Sequence, residues 1–190
     1  MKKAFLLLAV TTTLAVACND NGKTSTTGDK MVNDSTATAS GGSAADKKEQ
    51  KEERNKKIIM ASMDAMAAHN VNDILKDATP DCVDYGDGSM PAVKGKDSVA
   101  KMLTEYVGAF PDVKGENLKY AADGDWVMVW GDWSGTFKSP FMGMKPTNKT
   151  FKYKDVDIFK MTDDGKIAEH HNIQSGATMM MQLGVQPPKK

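Results

Sequence analysis
The sequence predicts an α+β domain in which N-terminal helices pack on an antiparallel sheet. Three observations carry that prediction. Apolar residues keep helical spacing up to Pro111, alternate every second residue after it, and are interrupted by Asp163-Asp164-Gly165, a hairpin turn between two alternating runs.

Lys47 to Lys57 (KKEQKEERNKK) reads as a charged helix start whose Glu49, Glu52 and Glu53 are interspersed with Lys and Arg. That mixture suits a solvated helical face better than a nucleic-acid contact. Ile59, Met63, Met66 and Ala67 fall at i, i+4, i+7 and i+8, so one face is buried and the first helix runs to about Ala68. Asn70 and Asn72 break it, and Val71, Ile74 and Leu75 suit a short second helix before Thr79 and Pro80. A third helix follows Gly95. Val99, Met102, Leu103, Tyr106, Val107 and Phe110 keep its period, Asp97 suits its N-terminal end, and Pro111 stops it.

Beyond Pro111, Val127, Val129 and Trp133 alternate with Met128, Trp130 and Asp132. Phe151, Tyr153, Asp155, Asp157, Phe159 and Met161 alternate with Lys152, Lys154, Val156, Ile158 and Lys160. The hairpin turn then leads into a strand from Lys166 to about Gln174.

The N-terminus reads as an export signal over residues 1–17: Lys2 and Lys3 precede an apolar or small run, Ala4 to Ala17, too short to span a bilayer. Leu14-Ala15-Val16-Ala17-Cys18 resembles the bacterial lipobox, which makes Cys18 the lipidated mature N-terminus. An ordinary cleaved signal, leaving Cys18 as a free thiol, is the alternative. Residues 18–46 then form the lipidated cysteine and a disordered tether, rich in Ser, Thr, Ala, Gly, Asn and Asp. Such a coil reaches roughly 30 Å. Asn19 stands where Asp would favour inner-membrane retention, so the outer membrane is the expected address. One domain over residues 47–185 and a short tail over 186–190 complete the chain.

Lys+Arg 25 balance Asp+Glu 25, and loss of Lys2 and Lys3 leaves 23 basic residues against the 25 acidic ones, so no net field draws in nucleic acid. Cys18 and Cys82 are the two cysteines, too few for a disulfide framework or a Cys/His zinc cluster. No cofactor and no metal are expected. The 14 methionines raise copper(I) ligation as a possibility, but Met60, Met63 and Met66 on a helix and Met179 to Met181 near the C-terminus suit apolar filling better.

Phe110-Pro111-Asp112, Gly124-Asp125, Gly135-Thr136, Gly143 followed by Pro146-Thr147, Asp164-Gly165-Lys166-Ile167, Glu169-His170 and Gln182-Leu183-Gly184 occur in the order of one family. From Asn55 to Val185 the chain resembles the SnoaL-like polyketide (ester) cyclases. The resemblance implies a nuclear-transport-factor-2-like cone: a curved sheet closed by helices around a small-molecule pocket, in a homodimer. It also exposes departures. Asn172 and Ser175 stand where the family has aspartates that handle the substrate proton, Tyr85 stands for a common His, Phe137 replaces the His after Gly-Thr, and Asn148 replaces a Gly. Neither Asn nor Ser moves a proton near neutral pH.

Val156-Asp157-Ile158-Phe159 also resembles ketosteroid isomerase, a fold relative in which the corresponding aspartate faces the cavity. By parity Asp155 and Asp157 share a face about 7 Å apart. If that face lines a pocket, burial and mutual repulsion make Asp157 a candidate acid, with pocket lining and a structural ion pair as the other readings. His170 and His171 point to opposite faces and do not readily hold one ion. His170 shares parity with Asn172 and Gln174, a candidate ligand-binding row, and is the second candidate catalytic residue. Tyr85, Met128, Trp130, Asp132, Tyr153 and Phe159 complete the expected lining. The expected function is binding of a small apolar or amphipathic molecule; the alternatives are an acid/base enzyme using Asp157 and His170, and a dimeric docking module.

Overall fold
The computed structural model describes residues 43–174 and 176–185. The signal, Cys18, the tether to residue 42, Ser175 and the tail from 186 lie outside the described residues.

Helix α1 (Ala44–Ala67) opens with a capping box in which Ser43 and Asp46 satisfy each other's backbone N–H. It therefore starts three residues before the expected Lys47. Its inner face is Asn55, Ile59, Ser62 and Met63, while Ala67 is exposed. The charged run is more than a solvated face, because it docks on two hairpin turns. Asn55 Nδ2 donates to Gly124 O at 3.3 Å, Gly124 N donates to Glu52 Oε1 at 2.8 Å, and Arg54 donates to Asp163 O at 3.0 Å.

After α2 (Val71–Ile74) come β1 (Ala78–Asp84), β2 (Val93–Lys94) and α3 (Lys96–Ala109), then β3 (Lys114–Asp123), β4 (Trp126–Thr136), β5 (Thr150–Met161), β6 (Ile167–Asn172) and α4 (Gly176–Leu183). The short β2, the whole of β3 and α4 were not expected. In β3 the expected alternation is spoiled at Asn117, whose φ of 56° marks a register shift between Glu116 and Lys119. The six strands form one curved sheet in the order β2-β1-β6-β5-β4-β3. It is mixed, not purely antiparallel as expected, because β1 runs parallel to β6.

Helices α1 and α3 pack on the sheet, and Phe110, Phe137 and Phe151 close the core near the end of α3, with ring centroids 5.3 Å (Phe110–Phe137) and 5.5 Å (Phe110–Phe151) apart. Phe137 is fully buried there, so the family's histidine position is occupied by a packing residue. Among the described residues no helix is long and apolar enough to cross a membrane.

Candidate functional site
Residues of one parity on β1, β5 and β6 converge beneath α1 and α3. Ala78, Cys82 and Asp84 line the cavity from β1 across a register irregularity between Ala78 and Val83, and Asp84 is the register partner of His170 on β6. Phe159 is the β5 partner of His170, and Asp157 is the partner of Asn172. His170 Nδ1 lies 3.0 Å from Asp84 Oδ2, and its Nε2 lies 3.3 Å from Asp157 Oδ1. Phe159 packs on the imidazole with centroids 5.0 Å apart.

Electrostatics fix the protonation of His170 and Asp84. Burial alone lowers the imidazole's pKa, but the Asp157 and Asp84 carboxylates outweigh it and raise His170 from 6.5 to about 10. His170 is thus an imidazolium at neutral pH, donating from both nitrogens. Burial opposes ionisation of Asp84, yet the bond from His170 carries its pKa below the usual value. Asp155 moves the other way: burial, aided by the Asp157 charge, raises it against the backbone N–H groups it accepts. Those are Val156 N at 2.7 Å, Ile173 N at 3.2 Å and Gln174 N at 2.7 Å, all on Oδ1. Burial also raises the Tyr106 and Tyr153 phenols, which remain neutral.

Two adjoining chambers flank the trio. The inner, of about 110 Å³, is walled by apolar side chains such as Met63, Leu75, Val99, Phe159 and Ile167. The outer, of about 260 Å³, is lined by Tyr106, Phe141, Tyr153, Asp155, Asn172, Gln174 and Met179. Met66, Asp84, Leu103, Trp133, Asp157 and His170 line both, forming a shared wall. The inner chamber is on the scale of an apolar cavity that holds a single ring, roughly 150 Å³.

The structure thus brings together Asp157, His170, Tyr153, Asp155, Phe159, Asn172 and Gln174. It does not bring in Met128, Trp130 or Asp132. The pairing of β4 with β5 sets Val129 against Asp157 and Gly131 against Asp155, so the inner row is Val127, Val129, Gly131 and Trp133. The other row faces outward: Trp130 is 45% exposed with Lys154 Nζ 5.0 Å from its ring centroid, and Asp132 pairs with Lys154 and Asn117. Tyr85 is likewise outside both chambers, stacked on the outward His171 at 4.7 Å. Asp84, Trp133 and Tyr106 were missed. Parity was the available signal: Asp84 lies in step with the buried Cys82, and Trp133 with Val127 and Val129.

Asn172, at a family aspartate position, is held by its own bonds: Nδ2 donates to Gln174 O at 2.9 Å and to Asp155 Oδ2 at 3.4 Å. Among the described residues no group of three or more His, Cys, Asp or Glu side chains is arranged to hold a metal ion. Met63, Met66 and Met179 line the chambers, whereas Met60 and Met181 are exposed.

The helices cap a curved sheet that encloses an apolar cavity with a polar wall, an α+β fold with an internal pocket. Residues 57–183 match the SnoaL-like polyketide cyclase family, to which the chain belongs. No curated protein matches it. Among solved structures, a protein assigned as a SnoaL-like polyketide cyclase from Jannaschia sp. CCS1 is 20% identical, with 72% of this chain and 96% of that one covered at a TM-score of 0.64. IdmH from Streptomyces antibioticus, assigned as a polyketide cyclase, is 24% identical over 69% of this chain and 99% of its own, with a TM-score of 0.56. A protein with a ketosteroid isomerase-like fold from Catenulispora acidiphila DSM 44928, solved with trimethylamine, is 15% identical over 68% and 93%, with a TM-score of 0.57. At these identities the likeness establishes the fold.

Proposed function
We propose that the domain binds a small amphipathic molecule, with its apolar body in the inner chamber and its polar end at the shared wall, and does not run the family's cyclisation. The observation that carries this reading is an apolar chamber ending on the Asp84–His170–Asp157 trio. The amide of Asn172, tied into two hydrogen bonds, neither gives up nor takes up a proton near neutral pH at the position of the family's acid/base. The test is native mass spectrometry of the full chain purified from its own host, compared with denatured protein. A small molecule lost on denaturation is expected, and a chain that binds no apolar probe at saturating concentration overturns the reading.

A second reading, acid/base catalysis by Asp157 with His170 as its charged partner, is favoured by the Oδ2 of Asp157, which has no protein partner among the described residues. Delivery follows from the N-terminus: the lipobox-like run supports an exported lipoprotein anchored through Cys18, in the outer membrane, presenting the domain on its tether. Cys18→Ala is expected to move the protein from the membrane to the soluble fraction. The outward row with Trp126, Met128 and Trp130 supports a homodimer through the back of the sheet. A monomer by sedimentation at micromolar concentration would remove that element.

A further inference from the structure
The connection between β4 and β5 and the C-terminal end of α4 form one surface, at the end of the sheet away from the Gly124 and Gly165 hairpins. Phe137 N donates to Lys149 O at 3.0 Å and closes the connection on itself. Thr147 Oγ1 donates to Leu183 O at 2.9 Å, and the Gln182 side chain meets both backbone groups of Lys152, at 2.7 and 3.2 Å.

Charge sets this pole apart. From Phe137 to Lys152 the sequence holds Lys138, Lys145, Lys149 and Lys152 and no Asp or Glu. All four lysines are exposed, and among the described residues none forms an ion pair. Elsewhere Lys48, Lys51, Lys154, Lys160 and Lys166 each pair with an Asp or Glu. Asp112, which feels the Lys138 charge, is bonded to Thr136 N and Oγ1, at 2.6 Å each.

The same pole exposes large apolar side chains. Met142 and Gly143 form the two-residue turn between Phe141 and Met144, with φ of 49° and 75°. Asn suits the first position of such a turn, and a bulky side chain is strained there. Met142 is nonetheless 46% exposed, so neither the turn nor the core accounts for a methionine. Met181 on α4 is 76% exposed.

We infer that this pole docks the domain on an anionic membrane surface, its lysines on lipid headgroups and its methionines in the acyl boundary. Unpaired cations around exposed apolar side chains complement such a surface. A soluble polyanion uses the lysines and has no use for the methionines. Phe141 and Met179, from the same loop and helix, line the outer chamber, so docking sets that chamber beside the lipid. The inference requires neither the ligand-binding reading nor a lipidated Cys18.

The test is vesicle co-sedimentation of the full chain carrying Cys18→Ala, so that no acyl chain contributes, on phosphatidylcholine vesicles with and without phosphatidylglycerol. Residues 1–17 are common to every variant, so differences between variants read the pole. Tighter binding to the anionic vesicles, weakened by salt, is expected. Lys138→Gln, Lys145→Gln and Lys152→Gln should each weaken it about fivefold, the worth of one basic residue near an anionic surface. Met142→Asn, which suits its turn, should weaken it about tenfold through the lost apolar burial. Lys76→Gln, at the other end of the sheet, should leave it unchanged. Equal binding to both vesicles overturns the inference, as does a loss from Lys76→Gln equal to that from the loop lysines. Lysine-dependent binding to heparin that matches binding to vesicles and ignores Met142→Asn makes the pole a general polyanion site and overturns the lipid assignment. Because the comparison of the two vesicles is read on the parent chain, a variant that fails to fold does not rescue the inference.

Discussion

Asp84 and His170 are register partners across the parallel junction of β1 and β6, and Asp84 Oδ2 accepts from His170 Nδ1 at 3.0 Å. The sole parallel pair among the described strands therefore places an acid on one strand directly against a base on the next. Linkage follows from the two shifts. A His raised from 6.5 to about 10 contributes stability that is complete below pH 6.5 and is lost as pH rises through about 10. The lowered pKa of Asp84 contributes stability present above the ordinary carboxylate range and lost as pH falls through its depressed value. Asp84→Asn is expected to lower the His170 pKa, followed by NMR of the imidazole C–H, and to flatten the fall in stability between pH 6.5 and 10. At neutral pH the loss should be about 2 kcal/mol, the scale of a hydrogen bond to a charged group. An unmoved His170 titration would refute the pairing.

Asp155 has a different task from its neighbour Asp157. Its Oδ1 accepts three backbone N–H groups, two of them from Ile173 and Gln174, where the chain leaves β6 for α4. Asp87 Oδ2 accepts Gly176 N at 2.7 Å on the far side of the same junction. Asp155→Ala is expected to destabilise by about 3 kcal/mol, since several N–H groups lose their acceptor, and Asp155→Asn by clearly less because its amide oxygen still accepts. Chemical denaturation reads the difference. Equal losses in the two variants would mean that the backbone bonds are not what Asp155 contributes.

Gly131 is required by close packing. The register shift in β3 turns Leu118 over the inner face, where a Cβ on Gly131 would collide with Leu118 Cδ2 and lie 3.1 Å from Glu116 O. Gly131→Ala is expected to cost about 1–3 kcal/mol, the range for overpacking a fitted site. A companion Leu118→Ala change should relieve the steric part, so the double variant should lose less than the two single losses combined. Strict additivity would argue against that contact.

Local patterning made much of the fold legible. Helices α1, α2 and α3 and strands β4, β5 and β6 follow from apolar periods set by residues near in sequence, as does the hairpin at Gly165. Strand β3 was illegible because its alternation is broken at Asn117, and the parallel pairing of β1 with β6 is a non-local fact that no window contains. The same distinction governs the site. Parity on β5 and β6 put Asp155, Asp157, His170 and Asn172 in one row, and all four line the outer chamber, but parity alone leaves open which row faces inward. On β4 a polar-aromatic row of Met128, Trp130 and Asp132 was expected inside, yet β5 pairing and the burial of Val127, Val129 and Trp133 reverse it. Asp84, distant in sequence from His170, becomes visible only when β1 docks on β6.

Binding and turnover part company at Asp157. One of its oxygens meets His170 Nε2 at 3.3 Å, and the other has no protein partner among the described residues, so a carboxamide there keeps the shape while losing the charge and the proton affinity. A binding protein should retain the same small molecule in wild type and in Asp157→Asn, with affinity reduced about tenfold. An acid/base enzyme behaves otherwise: the variant should lose roughly a hundredfold or more in rate and accumulate a precursor that the wild-type protein consumes. Native mass spectra of both proteins from the same host distinguish these outcomes. The expected result is one shared ligand mass. A mass held only by the variant, and converted when wild-type protein is added, would instead make Asp157 a proton-transfer residue and the domain an enzyme whose acid/base lies on β5 in place of β6.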